Sequence, residues 1–233
     1  MKEFITNDFI INYEPELQEF IEKTVAHAES KRKEFYKLFN CNEKDIGVLK
    51  ASFFINHDKF IEYIKSVSGG HRPPDWATGC FYNGEIQVLV DLKNPEEKMN
   101  TLAHETLHLF FNKTIYQKYK IDRVNWLDES FAVYLDGQPD DISVDELLRM
   151  INYLDKISDG FDMAVLTDAN KVITNDYNGY DMFNVIGKYI FDNHLENKYL
   201  ELIKEDRNKV VEIGKNILQV AVDYFKKNLY ITK

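Results

Sequence analysis

The sequence predicts an α+β fold, and three observations carry that prediction. Residues up to 91 hold the β-type runs, helical periodicity dominates after them, and strands do not alternate with helices as in βαβ units. The implied sheet is small and mostly antiparallel, and it packs on a helix near residues 94–112. The C-terminal half is helical. Residues 1–233 read as one domain in three parts. An N-terminal helix occupies 1–45, the sheet with the 94–112 helix occupies 46–113, and a helical subdomain occupies 114–233. No internal repeat, low-complexity tract or Pro/Ser-rich linker interrupts the chain.

The first element is a long helix ending near Asn40. Pro15 suits a first helical turn, and Leu17, Phe20, Ile21, Val25, Ala28, Phe35, Leu38 and Phe39 recur at helical spacing. "IGVLKASFFI" alternates and is rich in β-formers, so it reads as a strand. "HDKFIEYIKSVSGG" reads as a short helix closed by Gly69 and Gly70. "HRPPDWATG" is a loop. "CFYNGEIQVLVD" is a pair of strands around Asn83-Gly84, the strongest short hairpin signal. "NPEEKMNTLAHETLHLFFNK" is a helix to about Asn112, with Asn94 as its cap and Pro95 just inside. "WLDESFAVYLDG" is a short helix stopped by Gly137, and "SVDELLRMINYLDKIS" opens on a capping box, Ser143 with Glu146. From Tyr180 onward three helices follow.

Composition excludes several classes. With 44 % hydrophobic and 14 % aromatic residues, the chain has material for a buried core. A net charge of −10 argues against nucleic acid as a partner, since such proteins carry a basic face. The nearest basic cluster, "KRKEFYK" at 31–37, lies beside Glu29 and Glu34 and reads as a solvated helix face. Cys41 and Cys80 are not a disulfide framework and read as reduced thiols of a cytoplasmic protein. The N-terminus lacks the apolar core of a signal peptide, and no run approaches the roughly 20 apolar residues of a membrane span.

The chemistry concentrates in "TLAHETLHLFF". Its His104, Glu105 and His108 form H-E-x-x-H. Positions i and i+4 of a helix share a face, so His104 and His108 can aim imidazole nitrogens at one Zn2+ ion. Glu105 is rotated beside them, where a carboxylate can take a proton from metal-activated water. Met99, Ala103, Leu107, Phe110 and Phe111 form the opposite, apolar stripe that anchors the helix. A catalytic zinc needs a third protein ligand. Glu129 follows His108 with 20 residues between them, room for a turn and a returning helix. Asp128 is the competing carboxylate.

"HETLH" followed by "WLDESFAVYL" resembles the gluzincin metallopeptidases, a zincin-like superfamily that includes thermolysin-like, aminopeptidase-like and many bacterial peptidases. Their signature is H-E-x-x-H and then a W-L-x-E-G-x-A-x-Y-like segment. The resemblance implies a zinc-dependent peptidase with one zinc per chain on His104, His108 and Glu129, and Glu105 as general base. This chain has Ser130 where the family commonly has Gly, and Val133 where thermolysin-like members place an acid that orients a zinc histidine. "NGYDMFNVIGKYIFDNH" resembles the helix after the third ligand, which often begins with a tyrosine facing the metal. Tyr180 is the match and Tyr177 the alternative, as donor to the oxyanion. "EIQVLV" resembles the strand that pairs with extended substrate. The aminopeptidase segment that grips a free amine is absent, which favours endopeptidase or oligopeptidase action on a peptide or protein substrate. The alternative is a non-catalytic zinc-binding regulatory or interaction domain, against which the intact Glu105 argues.

Overall fold

The computed structural model describes residues 1–70, 73, 77–82, 84–137, 143, 145, 147–149, 152 and 179–231, with side chains to Asn228. The chain divides into two compact units, Met1–Thr114 and Ile115–Lys233. The α+β class holds.

The first unit is built on five strands: β1 (Lys2–Ile5), β2 (Phe9–Tyr13), β3 (Leu49–Phe54), β4 (Gly79–Tyr82) and β5 (Glu85–Leu89). Its helices are α1 (Gln18–Leu38), α2 (Glu43–Ile46), α3 (His57–Val67) and α4 (Thr101–Phe111). The sheet order is β1-β2-β3-β5-β4. It is mixed, not mostly antiparallel: β2 and β5 both run parallel to β3, while β1 and β4 flank them antiparallel. Parallel neighbours require crossovers, and helices supply them, α1 and α2 between β2 and β3, then α3 between β3 and β5. The sequence reading missed this because β1 and β2 lie in a segment rich in acids and asparagines. Yet β2 alternates cleanly in burial, with Phe9, Ile11 and Tyr13 inside.

The hairpin expected around Gly84 is present, with Tyr82 opposite Glu85 and Gly84 at φ +80°. Gly69 and Gly70 close α3 at positive φ, as expected. Most of the loop "HRPPDWATG", together with Asn83, lies outside the described residues, as does Glu146 of the expected capping box.

The 31–37 stretch is not a uniformly solvated face. Phe35 is fully buried and Arg32 is 1 % exposed. A buried guanidinium needs every donor placed. Arg32 ion-pairs with Asp8 at 3.1 Å, donates to the carbonyls of Asp8 and Gly47 and to the Tyr36 hydroxyl, and sits over the Phe9 ring. It thereby ties α1 to the turn before β2 and to the turn before β3.

The apolar stripe of α4 performs its expected role. Ala103, Leu107, Phe110 and Phe111 are fully buried, and Met99 is half-buried. Phe110 packs against Phe35, Tyr36 and Phe39 of α1, and Phe111 against Phe39 at 4.9 Å between ring centroids. Thr24 on α1 donates to the Met99 carbonyl at 2.7 Å, and Lys113 donates to the Ile46 carbonyl. One edge of α4 is therefore bonded to α1 near its start and to the end of α2 after its last turn.

The second unit holds α5 (Gln117–Tyr119), α6 (Asn125–Leu135), α7 (Gly179–Asp192), α8 (Glu196–Glu205) and α9 (Arg207–Ile231). The chain enters it from α4 through a π-helical stretch, Asn112–Tyr116, so the helix outlasts the predicted end. Gly137 stops α6 at φ +104°, as expected. Two glycines permit close crossings. A Cβ on Gly187 of α7 would lie 2.4 Å from the Ser130 carbonyl oxygen, and one on Gly214 of α9 would lie 2.5 Å from Trp126 Nε1. Trp126 is buried, donates to the Val210 carbonyl at 3.1 Å and meets Tyr199 edge-on. Among the described residues, no helix is long and apolar enough to cross a membrane.

Candidate metal centre

The H-E-x-x-H segment lies wholly within α4, so its i, i+4 geometry is realised. His104 and His108 are half-buried, and their Nε2 atoms are 3.1 Å apart. Their rings stand at 86° to one another with centroids 4.7 Å apart. With Zn–N bonds of about 2.05 Å, that separation corresponds to an N–Zn–N angle of roughly 100°, near the tetrahedral value. The same distance allows a hydrogen bond when one Nε2 carries a proton. The donor set and spacing therefore fit a zinc ion.

Glu105, one position on, is 8 % exposed. Strand β4 crosses close to it. A Cβ on Gly79 would lie 3.0 Å from Glu105 Oε1 and 2.8 Å from Thr101 Cγ2, a space no real Cβ occupies. Glycine is what lets the strand backbone approach the carboxylate. Cys80, the next residue, feels the same group. Burial first, and then the Glu105 charge, push its thiol well above the ordinary range. Its Sγ donates to Gln87 Oε1 at 3.4 Å, and both cysteines are free thiols. The sequence reading took Cys80 only as a reduced thiol and Gly79 only as the end of a loop, and placed neither beside Glu105. The hairpin signal placed Cys80 on a strand, which in the structure begins one residue earlier at Gly79, but nothing in the sequence tells which strand meets α4.

Strand β5 was expected to take extended substrate. It lies between β3 and β4 and so has no open side. On that flank of the sheet the outer edge belongs to β4, the strand that approaches Glu105.

In the second unit, Asp128 and Glu129 leave α6 on different sides, as successive helical residues must. Asp128 is 1 % exposed and bonds Arg123 Nε at 2.7 Å. The Glu129 side chain is 20 % exposed and receives Arg123 Nη2 at 2.7 Å on Oε1. Glu129 is thus a partly buried carboxylate. Tyr116 is buried and bonds Asp128. Burial first, and then the Asp128 charge, push its phenol well above the ordinary range.

A scan of known protein families and a search of curated proteins both return no match.

Tyr180 lies in the first turn of α7, is half-buried and meets the Phe183 ring edge-on at 6.4 Å. Tyr177 lies outside the described residues. Ser130 is fully buried where α7 crosses, with its backbone oxygen against Gly187. Val133 is buried. Arg123 went unnoticed in the sequence because it sits in the segment before α6, where no periodicity marks it.

Proposed function

We propose that this protein is a zinc-dependent metallopeptidase of gluzincin type, acting as an endopeptidase or oligopeptidase. The observation that carries the reading is the 3.1 Å separation of His104 and His108 Nε2 on one face of α4, with a buried Glu105 between them. His104 and His108 would hold the ion with Glu129 as third ligand, the last taken from the resemblance of "WLDESFAVYL" to the family segment. Bound there, zinc supplies Lewis acidity toward a carbonyl and lowers the pKa of water toward about 7.

The protein's own groups do the rest. Glu105 accepts the proton of the attacking water and delivers it to the leaving amine. Its burial shields that carboxylate from bulk water and strengthens its electrostatic action. Tyr180 is assigned as the phenol that donates to the oxyanion. The outer edge of β4 offers the backbone groups for an extended peptide, in place of β5. Gly79 keeps that backbone close to Glu105. The acidic balance of the chain favours basic or neutral peptides over acidic ones.

Cleavage of a broad peptide library by the zinc-loaded protein, and its loss in Glu105→Gln with zinc retained, is the expected result. Zinc binding with no cleavage of any peptide would replace this reading with a non-catalytic zinc-binding domain.

A further inference from the structure

We propose that Arg123 is a positioning residue for the Glu129 carboxylate, held in place by a buried Asp128–Tyr116 pair. The inference rests on the reading of Glu129 as a zinc ligand. One guanidinium reaches two adjacent carboxylates, Nε to Asp128 Oδ2 and Nη2 to Glu129 Oε1, each at 2.7 Å. Asp128 and Glu129 diverge by about 100° around α6, so a fork engaged with both has little freedom left.

The backbone that delivers the fork is fixed as well. Arg207, at the start of α9, donates to the carbonyls of Asp122 at 3.1 Å and Arg123 at 3.4 Å. The Tyr116 hydroxyl accepts the Val124 N–H at 3.4 Å and donates to Asp128. Residues 122–124 are thus held from both sides. Exposed arginines usually wander, and isolated surface ion pairs contribute little. Arg123 is 42 % exposed in its side chain, yet its partner Asp128 is 1 % exposed and its other partner Glu129 is 20 % exposed. This arrangement suits a device that fixes the orientation of one carboxylate.

A carboxylate has two oxygens. Arg123 engages Oε1, and Oε2 of Glu129 is shielded from solvent. The geometry assigns Oε1 to orientation by Arg123 and Oε2 to the metal. Hydrogen-bond partners that orient metal-binding carboxylates typically govern metal affinity by 10–100-fold. The role differs from that of the histidine-orienting acid whose usual position holds Val133 here.

The test is zinc affinity of the full-length protein, measured by competition with a chromophoric chelator, alongside the apo-protein's denaturation midpoint. Arg123→Gln is expected to weaken zinc by roughly 10–100-fold. Arg123→Lys keeps the charge but cannot bridge both carboxylates, so it is expected to weaken zinc by about fivefold or more and carries the test if Arg123→Gln fails to fold. A purely structural role would lower the apo midpoint and leave the affinity of the folded protein at the wild-type value. Affinity within about twofold of wild type in either folded variant overturns the proposal while the zinc reading stands. Wild-type protein without zinc, or zinc retained unchanged in Glu129→Ala, overturns both.

Discussion

Gly79→Ala is the sharpest perturbation that the first unit allows. The added Cβ would sit 2.8 Å from Thr101 Cγ2 and 3.0 Å from Glu105 Oε1. Both distances are inside van der Waals contact, so β4, the Thr101 side chain or the Glu105 carboxylate must give way, the last by a few tenths of an ångström. Overpacking of this kind costs about 1–3 kcal/mol, and the effect should appear as a lowered denaturation midpoint. The functional loss is expected to be larger than the stability loss implies. Displacing a reacting group by about 1 Å can cost on the order of 100-fold in rate, so the smaller shift required here is expected to cost several-fold. The companion change Thr101→Ser deletes Cγ2 and relieves only the 2.8 Å contact. The double variant should regain much of the stability and little of the hydrolysis, because the contact with Glu105 remains. The assays are denaturant unfolding and kcat/KM on a cleaved peptide. Gly79→Ala with wild-type stability and turnover would refute the claim that this glycine sets the approach of β4 to Glu105.

Other outcomes follow from the same geometry. Gly187→Ala would place a Cβ 2.4 Å from the Ser130 carbonyl oxygen and 2.8 Å from Tyr134 Cβ, atoms that cannot rotate away. Thermal denaturation should show a net loss, the clash of about 1–3 kcal/mol outweighing the gain of up to about 1 kcal/mol from helix propensity. Phe110→Ala empties the site shared with Phe35, Tyr36 and Phe39 and should cost about 3–5 kcal/mol in urea unfolding. Alkaline pH should destabilise the fold in two steps. Cys80 is raised in the folded state, so its contribution is complete below the unfolded thiol value of about 8.5 and is lost as pH climbs past it. Tyr199 is pushed up to about 12, first by burial and then by Tyr189, and together with the raised Tyr116 adds a second loss starting near the unfolded phenol value of about 10. Cys80→Ser should remove the first step in a denaturation series against pH and leave the second.

What the sequence made legible was local. The H-E-x-x-H spacing, the apolar stripe of α4, the hairpin at Gly84 and the stop at Gly137 all depend on neighbours within a few residues, and all appear in the fold. What it hid depends on distant pairings. Lys2–Tyr13 forms two strands despite its acids, because β2 buries Phe9, Ile11 and Tyr13 on one face of the sheet. The parallel pairing of β2 and β5 with β3 turned an expected antiparallel sheet into a mixed one and moved the free edge from β5 to β4. Arg32 looked like one charge in a solvated run, and it proved to be a buried hub because Asp8, Gly47 and Tyr36 converge on it. In the candidate site, the two histidines and Glu105 were readable from one helix. The approach of Gly79, the influence of Glu105 on Cys80 and the Arg123 clamp were not, since each joins residues that the linear pattern keeps apart.

The most direct test of the account is the zinc content of the purified protein, measured per chain for wild type and for Glu129→Ala. The account predicts one zinc per chain in wild type and near none in the variant. A wild-type chain without zinc, or full zinc in Glu129→Ala, would contradict it.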